Sequence, residues 1–254
     1  MIRSISIVYA IYLLLPIILL IVGSFGNSWT NTLLPTGITE RWYVDLWFDP
    51  SFRKSFITSL IVALSACAIN TVIAIPLAYS LYHRAGRRGN LAAKVVSAMP
   101  IAVPAITLGF GYIIIFNTDI APWLGTLPLL IAAHAIQTLP YLTNTLLSDL
   151  RHLHLDHLEK AAATLGASSM QQFMGIVVPN LRLSLISGLV MVAAISIGEF
   201  GLSNLLASFQ NRTYPVVLLQ AFYGATGFAC AATVVLLLLA STSAFISSFV
   251  VKRT

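Results

Sequence analysis

Six apolar runs, each long enough to cross a lipid bilayer, constrain this 254-residue chain more than any other feature. The first, roughly residues 5–25, contains no charged side chain. A crossing takes roughly 20 apolar residues at about 1.5 Å rise each. The others fall near 56–82, 95–117, 127–147, 183–205 and 228–251. Only 9% of the residues are charged and 58% are hydrophobic, whereas a soluble domain carries about 25% charged residues. The expected fold is an all-α membrane protein with six transmembrane helices in a single domain, residues 1–254. The apolar run from Ile5 to Val22 exceeds the roughly 7–15 residues of a signal-peptide core and is followed by no A-x-A site, so it reads as a retained first helix. A short helix around "YPVVLLQAFYG" before the last span reads as re-entrant or interfacial.

The net charge of +6 reflects topology rather than nucleic-acid binding, because basic residues accumulate in cytoplasmic loops. With the N-terminus inside, Arg3, Arg84, Arg87, Arg88, Lys94, Arg151, Lys160, Arg182, Lys252 and Arg253 fall on the inner side. Arg41, Arg53, Lys54 and Arg212 fall outside, with Arg53 and Lys54 the discordant pair against the second span. Ten against four places both termini in the cytoplasm and the connection of about 148–182 with them. Cys67 and Cys230 lie inside spans and read as small apolar residues, not as a disulfide or metal site. No repeat of 20–50 residues is evident.

The most informative stretch is "EKAAATLGASSMQQFMGIVVPN", from Glu159 to Asn180. Asp156 is placed to cap a helix whose box Glu159 would close. Ala161, Ala162 and Ala163 favour that helix and keep one face thin. Gly166 sits where a helix ends on a left-handed residue. Ser168 or Ser169 can cap a second helix, with Gln171 or Gln172 at the matching position. Pro179 ends or kinks it before the next span. The expectation is a helix–turn–helix on the cytoplasmic side, whose small residues let another protein approach closely.

The spacing resembles the EAA loop of ABC-importer permeases, the inner-membrane components of binding-protein-dependent transport. That pattern has E-A-A, a Gly four residues after the second Ala, an Ile ten after the Gly and a Pro thirteen after it. Ala161, Ala162, Gly166, Ile176 and Pro179 fall in register; Lys160 occupies the Glu position and Glu159 lies one residue earlier. The resemblance implies a type I importer permease (MetI-like) architecture. It also implies an ATPase-coupling role for Glu159, Lys160, Ala161, Ala162, Leu165, Gly166, Ala167, Ser168 and Pro179. The implied partners are a cytoplasmic ABC ATPase dimer, a second permease subunit (a homologue or a second copy), and a periplasmic or lipid-anchored solute-binding protein, all in membrane lipid. The chain has no G-x-x-x-x-G-K-[ST] phosphate loop and no H-E-x-x-H or G-x-S-x-G pattern. It therefore reads as no enzyme and as holding no cofactor, with ATP and Mg bound by the partner ATPase.

Other features offer path or gate residues. Glu199, inside the fifth span in "SIGEFGLSNLL", is an intramembrane carboxylate, functional by default or else structural; its string resembles permeases for oxyanions, ferric iron and phosphonates. Pro100 and Pro104, with Gly109 and Gly111 following, suggest a bent span. Asn70, His134, Gln137 and Asn144 are polar groups that bridge helices or line a path. His152, His154 and His157 read as a solvated or ATPase-facing edge, with no metal. The outer loop "GNSWTNTLLPTGITERWYVDLW" is an interfacial anchor or a docking surface for a binding protein, and its pattern resembles 2-aminoethylphosphonate, iron and polyamine importers. The implied function is the translocation path for a small solute, a phosphonate such as 2-aminoethylphosphonate or a related oxyanion, polyamine or ferric iron. The competing class is an ion-gradient-driven secondary transporter.

Overall fold

The computed structural model describes residues 2–29, 34–83, 102–153 and 155–252. The basic loop with Arg84, Arg87, Arg88 and Lys94, the start of the third expected span with Pro100, and also His154 and Arg253, lie outside the described residues. Helices dominate: α1 (Ile2–Ser24), α2 (Arg41–Phe48), α3 (Pro50–His83), α4 (Ala105–Phe116), α5 (Leu127–Leu153) and α6 (Asp156–Thr164). A one-turn α7 (Ser169–Gln172) passes through a π-helical turn (Phe173–Val177) into α8 (Val178–Asn180). Then come α9 (Arg182–Gly198), α10 (Gly201–Leu206), α11 (Tyr214–Phe222) and α12 (Thr226–Lys252). Two minimal antiparallel hairpins, Gly26–Ser28 with Thr36–Ile38 and Asn117–Thr118 with Ala121–Pro122, close connecting loops.

Among the described residues, two helices are by themselves long and apolar enough to cross a membrane, Ser6–Ser24 and Pro50–His83. Ser169–Asn180 and Arg182–Gly198 qualify together but are bent by 65°. Ala105–Phe116 and Thr226–Thr242 are shorter apolar helices. The length of α5 would suffice, yet His134, Gln137, Thr138, Asn144 and Ser148 dilute its apolar character. The fifth expected span is not continuous: α9 stops at Gly198 and α10 restarts at Gly201. Pro104 precedes α4 with extended backbone, and with Ala102 helical just before it the third expected span is interrupted there. A proline has no N–H to give to a preceding turn and fits a helix start without cost.

Helices α3, α5 and α9 pack side by side, with α12 against α9 and α1 against α12. At one end, called here the loop end, Ala74, Ala78, Leu142, Leu146, Leu150, Val177, Leu181 and Val192 form a buried cluster. At the other, the hairpin end, Val62, Leu129, Leu130, Ala133, Leu202 and Leu206 form a second under α4. Gly188 lets α9 approach α5: a Cβ there would lie 2.5 Å from Leu142 Cδ1. Much of α1 presents bare apolar side chains, among them Ile7, Val8, Ile11 and Leu14, the surface a lipid-facing helix requires.

Candidate functional site

The connection between α5 and α9 stands apart because it is built from locally specified turns. Gly166 takes φ +84°, the left-handed conformation that costs an L-residue about 1–2 kcal/mol and glycine nothing. Its N–H donates to the Ala163 carbonyl at 3.0 Å, and that of Ala167 to Ala162 at 3.0 Å, so the last carbonyls of α6 are satisfied. Ser168 then caps α7. Its Oγ accepts from the Gln171 N–H at 3.4 Å, and the Gln171 Oε1 accepts from the Ser168 N–H at 2.7 Å. This is a reciprocal capping box. The turn lifts Leu165 into solvent, 89% exposed, and leaves Leu158, Met170 and Met174 exposed on the same loop. Apolar side chains on a polar loop are a surface built to be covered.

The expected box at the start of α6 does not form. Leu155 holds the cap position with helical backbone and no side-chain cap bond, and Asp156 is already within the helix. Glu159 is turned inward instead, 6% exposed. Its Oε1 accepts a 2.7 Å hydrogen bond from the Tyr79 hydroxyl, and its Oε2 lies 3.1 Å from His83 Nε2. The carboxylate gains the Tyr79 hydroxyl as a donor and the His83 ring as a neighbour in place of one backbone N–H, and hydrogen bonds to a charged acceptor are the stronger kind. Tyr79 and His83 were not singled out from the sequence. Their signal was their i, i+4 spacing at the end of the second span, which puts both on one helix face. Lys160 remains exposed, and Pro179 sits near the start of α8 at the 65° bend into α9.

Of the other path candidates, Glu199 is a helix-breaking cap. Its Oε1 accepts from Leu202 N–H at 2.8 Å, and its Oε2 accepts from Ser203 N–H at 2.9 Å and Ser203 Oγ at 3.1 Å. It occupies the N-terminus of α10, where backbone N–H groups lack partners and favour negative charge. Since the Ser203 hydroxyl proton goes to Glu199, Ser203 Oγ accepts from His134 Nε2 at 3.0 Å, and His134 Nδ1 accepts from Ser196 Oγ at 2.8 Å. The relay Ser196–His134–Ser203–Glu199 thus joins α5, α9 and α10. Asn70 joins α3 to α5 by donating from Nδ2 to Thr138 Oγ1 at 2.8 Å. Gly109 is buried where α4 meets α10, its Cβ position 2.6 Å from Leu205 Cδ1. An open groove of about 490 Å³ lies between α5 and α9 near the loop end, lined by Asn144, Thr145, Ser148, Asp149, His152 and Ser184. The structure therefore places the residues expected to couple within one loop and leaves Asn70, Gly109 and Glu199 at separate helix contacts.

With this geometry in hand, the comparisons are consistent. The sequence model of one family, described as the binding-protein-dependent transport system inner membrane component, matches residues 70–254. The PhnV protein of Salmonella paratyphi A, provisionally described as a 2-aminoethylphosphonate transport system permease, is 23% identical over 213 residues, 84% of this chain and 79% of that one. The spermidine/putrescine transport system permease PotC of Haemophilus influenzae is 29% identical over 215 residues, covering 83% and 79%. A bacterial alginate ABC transporter, solved with an alginate-pentasaccharide-bound periplasmic protein, superposes with a TM-score of 0.77. It is 16% identical and is covered over 93% of its chain by all of this one.

Proposed function

Because the chain belongs to the family of binding-protein-dependent transport system inner membrane components, a helical multi-pass permease of the ABC-importer type in the bacterial inner membrane, we propose that it forms the solute path of an ATP-driven importer and couples that path to separate ATPase subunits through the α6–α7 loop. One observation carries this: Gly166 and the Ser168–Gln171 box hold a solvent-exposed apolar tip, Leu165, on a helix whose Glu159 is fastened to the end of α3. A force applied at the tip reaches a transmembrane helix through a short, buried contact. In this reading all 254 residues form one transmembrane domain of six spans, with both termini and the loop cytoplasmic. The ATP and Mg belong to the ATPase pair, a second permease completes the path, and a solute-binding protein meets the hairpin end.

The favoured solute is a phosphonate such as 2-aminoethylphosphonate, supported by the likeness to PhnV; a polyamine follows on the likeness to PotC, and an oxyanion or ferric iron on the "SIGEFGLSNLL" string. Glu199 and Asn70 belong to this reading as groups that fix the helices around the path; Gly109 and Pro104 set where α4 starts and meets α10. An ion-gradient-driven secondary transporter would leave the exposed Leu165 tip without a role. Uptake into vesicles separates the two. Transport that requires ATP and survives a proton or sodium uncoupler supports the importer; transport that collapses with the gradient and ignores ATP supports the rival.

A further inference from the structure

The uncovered face of α5 changes character halfway along. Toward the hairpin end its exposed positions are apolar, Ala132 and Ile136. From there to the loop end the positions that recur at four- and three-residue steps are Gln137, Tyr141, Asn144, Ser148 and His152, which share one side of the helix. Asn144, Ser148 and His152 are exposed; Gln137 and Tyr141 are partly so. The seam runs about 22 Å at 1.5 Å per residue. Counting roughly 20 residues per crossing from Leu127, its first half lies at membrane depth. A bare seam of carboxamides and hydroxyls has no place against hydrocarbon, where each unpaired polar group is costly.

A second observation points the same way. The Gln137 Oε1 has no hydrogen-bond partner among the described residues, so no described helix holds that oxygen. Beside the seam lies the groove with Asp149 on its wall, and among the described residues no Lys or Arg lines it.

We propose that this seam is the chain's share of the wall of a water-filled passage in the loop-end half of the membrane, taking a small hydrophilic solute that both donates and accepts hydrogen bonds. The inference rests on the permease reading above and adds to it which helix face the solute passes. It accounts for Gln137, Asn144 and Ser148, whereas His134 and Thr138, the other polar residues of α5 named above, are buried and join neighbouring helices.

The test uses the complete complex in inside-out vesicles. Cys67→Ala and Cys230→Ala remove the native thiols; single cysteines then replace Tyr141, Asn144 and Ser148, with Ala132→Cys and Ile136→Cys as controls. A charged, membrane-impermeant methanethiosulfonate is the probe. The seam positions should be modified roughly tenfold faster than the controls, since the reacting thiolate forms only in water. Seam positions that react only with a lipid-soluble maleimide would overturn the proposal, because the face would then meet lipid. So would seam cysteines that resist both reagents but form disulfides to the second permease, because the face would then be a protein contact. Recovery of the ATPase with the cysteine-free chain is scored separately: its absence would sink the permease reading itself.

Discussion

The hydroxyl of Tyr79 donates a 2.7 Å hydrogen bond to Glu159 Oε1 across eighty positions of sequence. It ties α6, the helix that carries the Leu165 tip, to the last turn of α3, and α3 in turn packs against α5 and α9. A hydrogen bond to a charged group is worth about 1.5–3 kcal/mol. Tyr79→Phe leaves the Glu159 carboxylate with His83 alone. The variant should keep its ATPase in a pull-down but lose coupling, so that solute moved per ATP hydrolysed falls several-fold in proteoliposomes. Unchanged stoichiometry would show that the contact transmits nothing.

Gly166 is required for its backbone and not for space, since a Cβ there would meet nothing within 4 Å. A graded series follows. Gly166→Asn should retain most uptake, because Asn tolerates the left-handed region. Gly166→Ala should cost about 1–2 kcal/mol in the turn, and Gly166→Val should be worst, as β-branched residues tolerate positive φ least. Membrane insertion should be equal for all three, and ATP-coupled uptake should fall in that order. An alanine or valine variant with full uptake would show that the turn does not need a residue tolerant of the left-handed conformation.

Glu199→Gln preserves shape but not acceptors. Three donors converge on the carboxylate, and the amide can satisfy them from one oxygen only while turning an NH2 group toward the rest. The cost is about 1–3 kcal/mol for a buried donor left unpaired. The thermal midpoint in detergent should drop and uptake should fall more than ATPase association does. A variant with the wild-type midpoint and uptake would mean that the α9–α10 break does not depend on this cap.

The hairpin end depends on a close contact. A Cβ at Gly227 would collide with the indole Nε1 of Trp42, whose N–H donates to the Gly26 carbonyl at 2.7 Å. Gly227→Ala should cost about 1–3 kcal/mol through overpacking against a rigid ring and lower the thermal midpoint. Gly175→Ala, with open space at the Cβ position, is the matched control and should leave it unchanged.

How much of this was legible depended on the range of the interactions. Gly166 and the Ser168–Gln171 box are decided within a few residues, so sequence spacing sufficed. Glu159 was assigned to a local box because its true partners, Tyr79 and His83, are reached only through the packing of α3 against the loop. Glu199 stood out as a carboxylate in an apolar run, but the run does not stop there, so spacing suggested one span where a cap starts a new helix. Pro104 gave warning of an interruption, and the helix does break there: Ala102 is helical, Val103 and Pro104 are not, and α4 starts at Ala105. The polarity of α5 was noticed residue by residue, as Gln137 and Asn144; only the helix, with its buried and bare faces, turned those residues into a seam.

Coupling in this permease turns on the exposed Leu165 tip as the dock for the ATPase. The most direct measurement is co-purification of the tagged chain from native membranes in mild detergent, wild type beside Leu165→Asp, with mass spectrometry of what accompanies each. A P-loop ATPase should accompany the wild type in comparable amount and be lost with Leu165→Asp, while the variant stays folded, because a side chain 89% exposed contributes little to the fold. A wild-type chain that emerges without an ATPase, or a variant that retains it in full, would rule out the Leu165 tip as the dock.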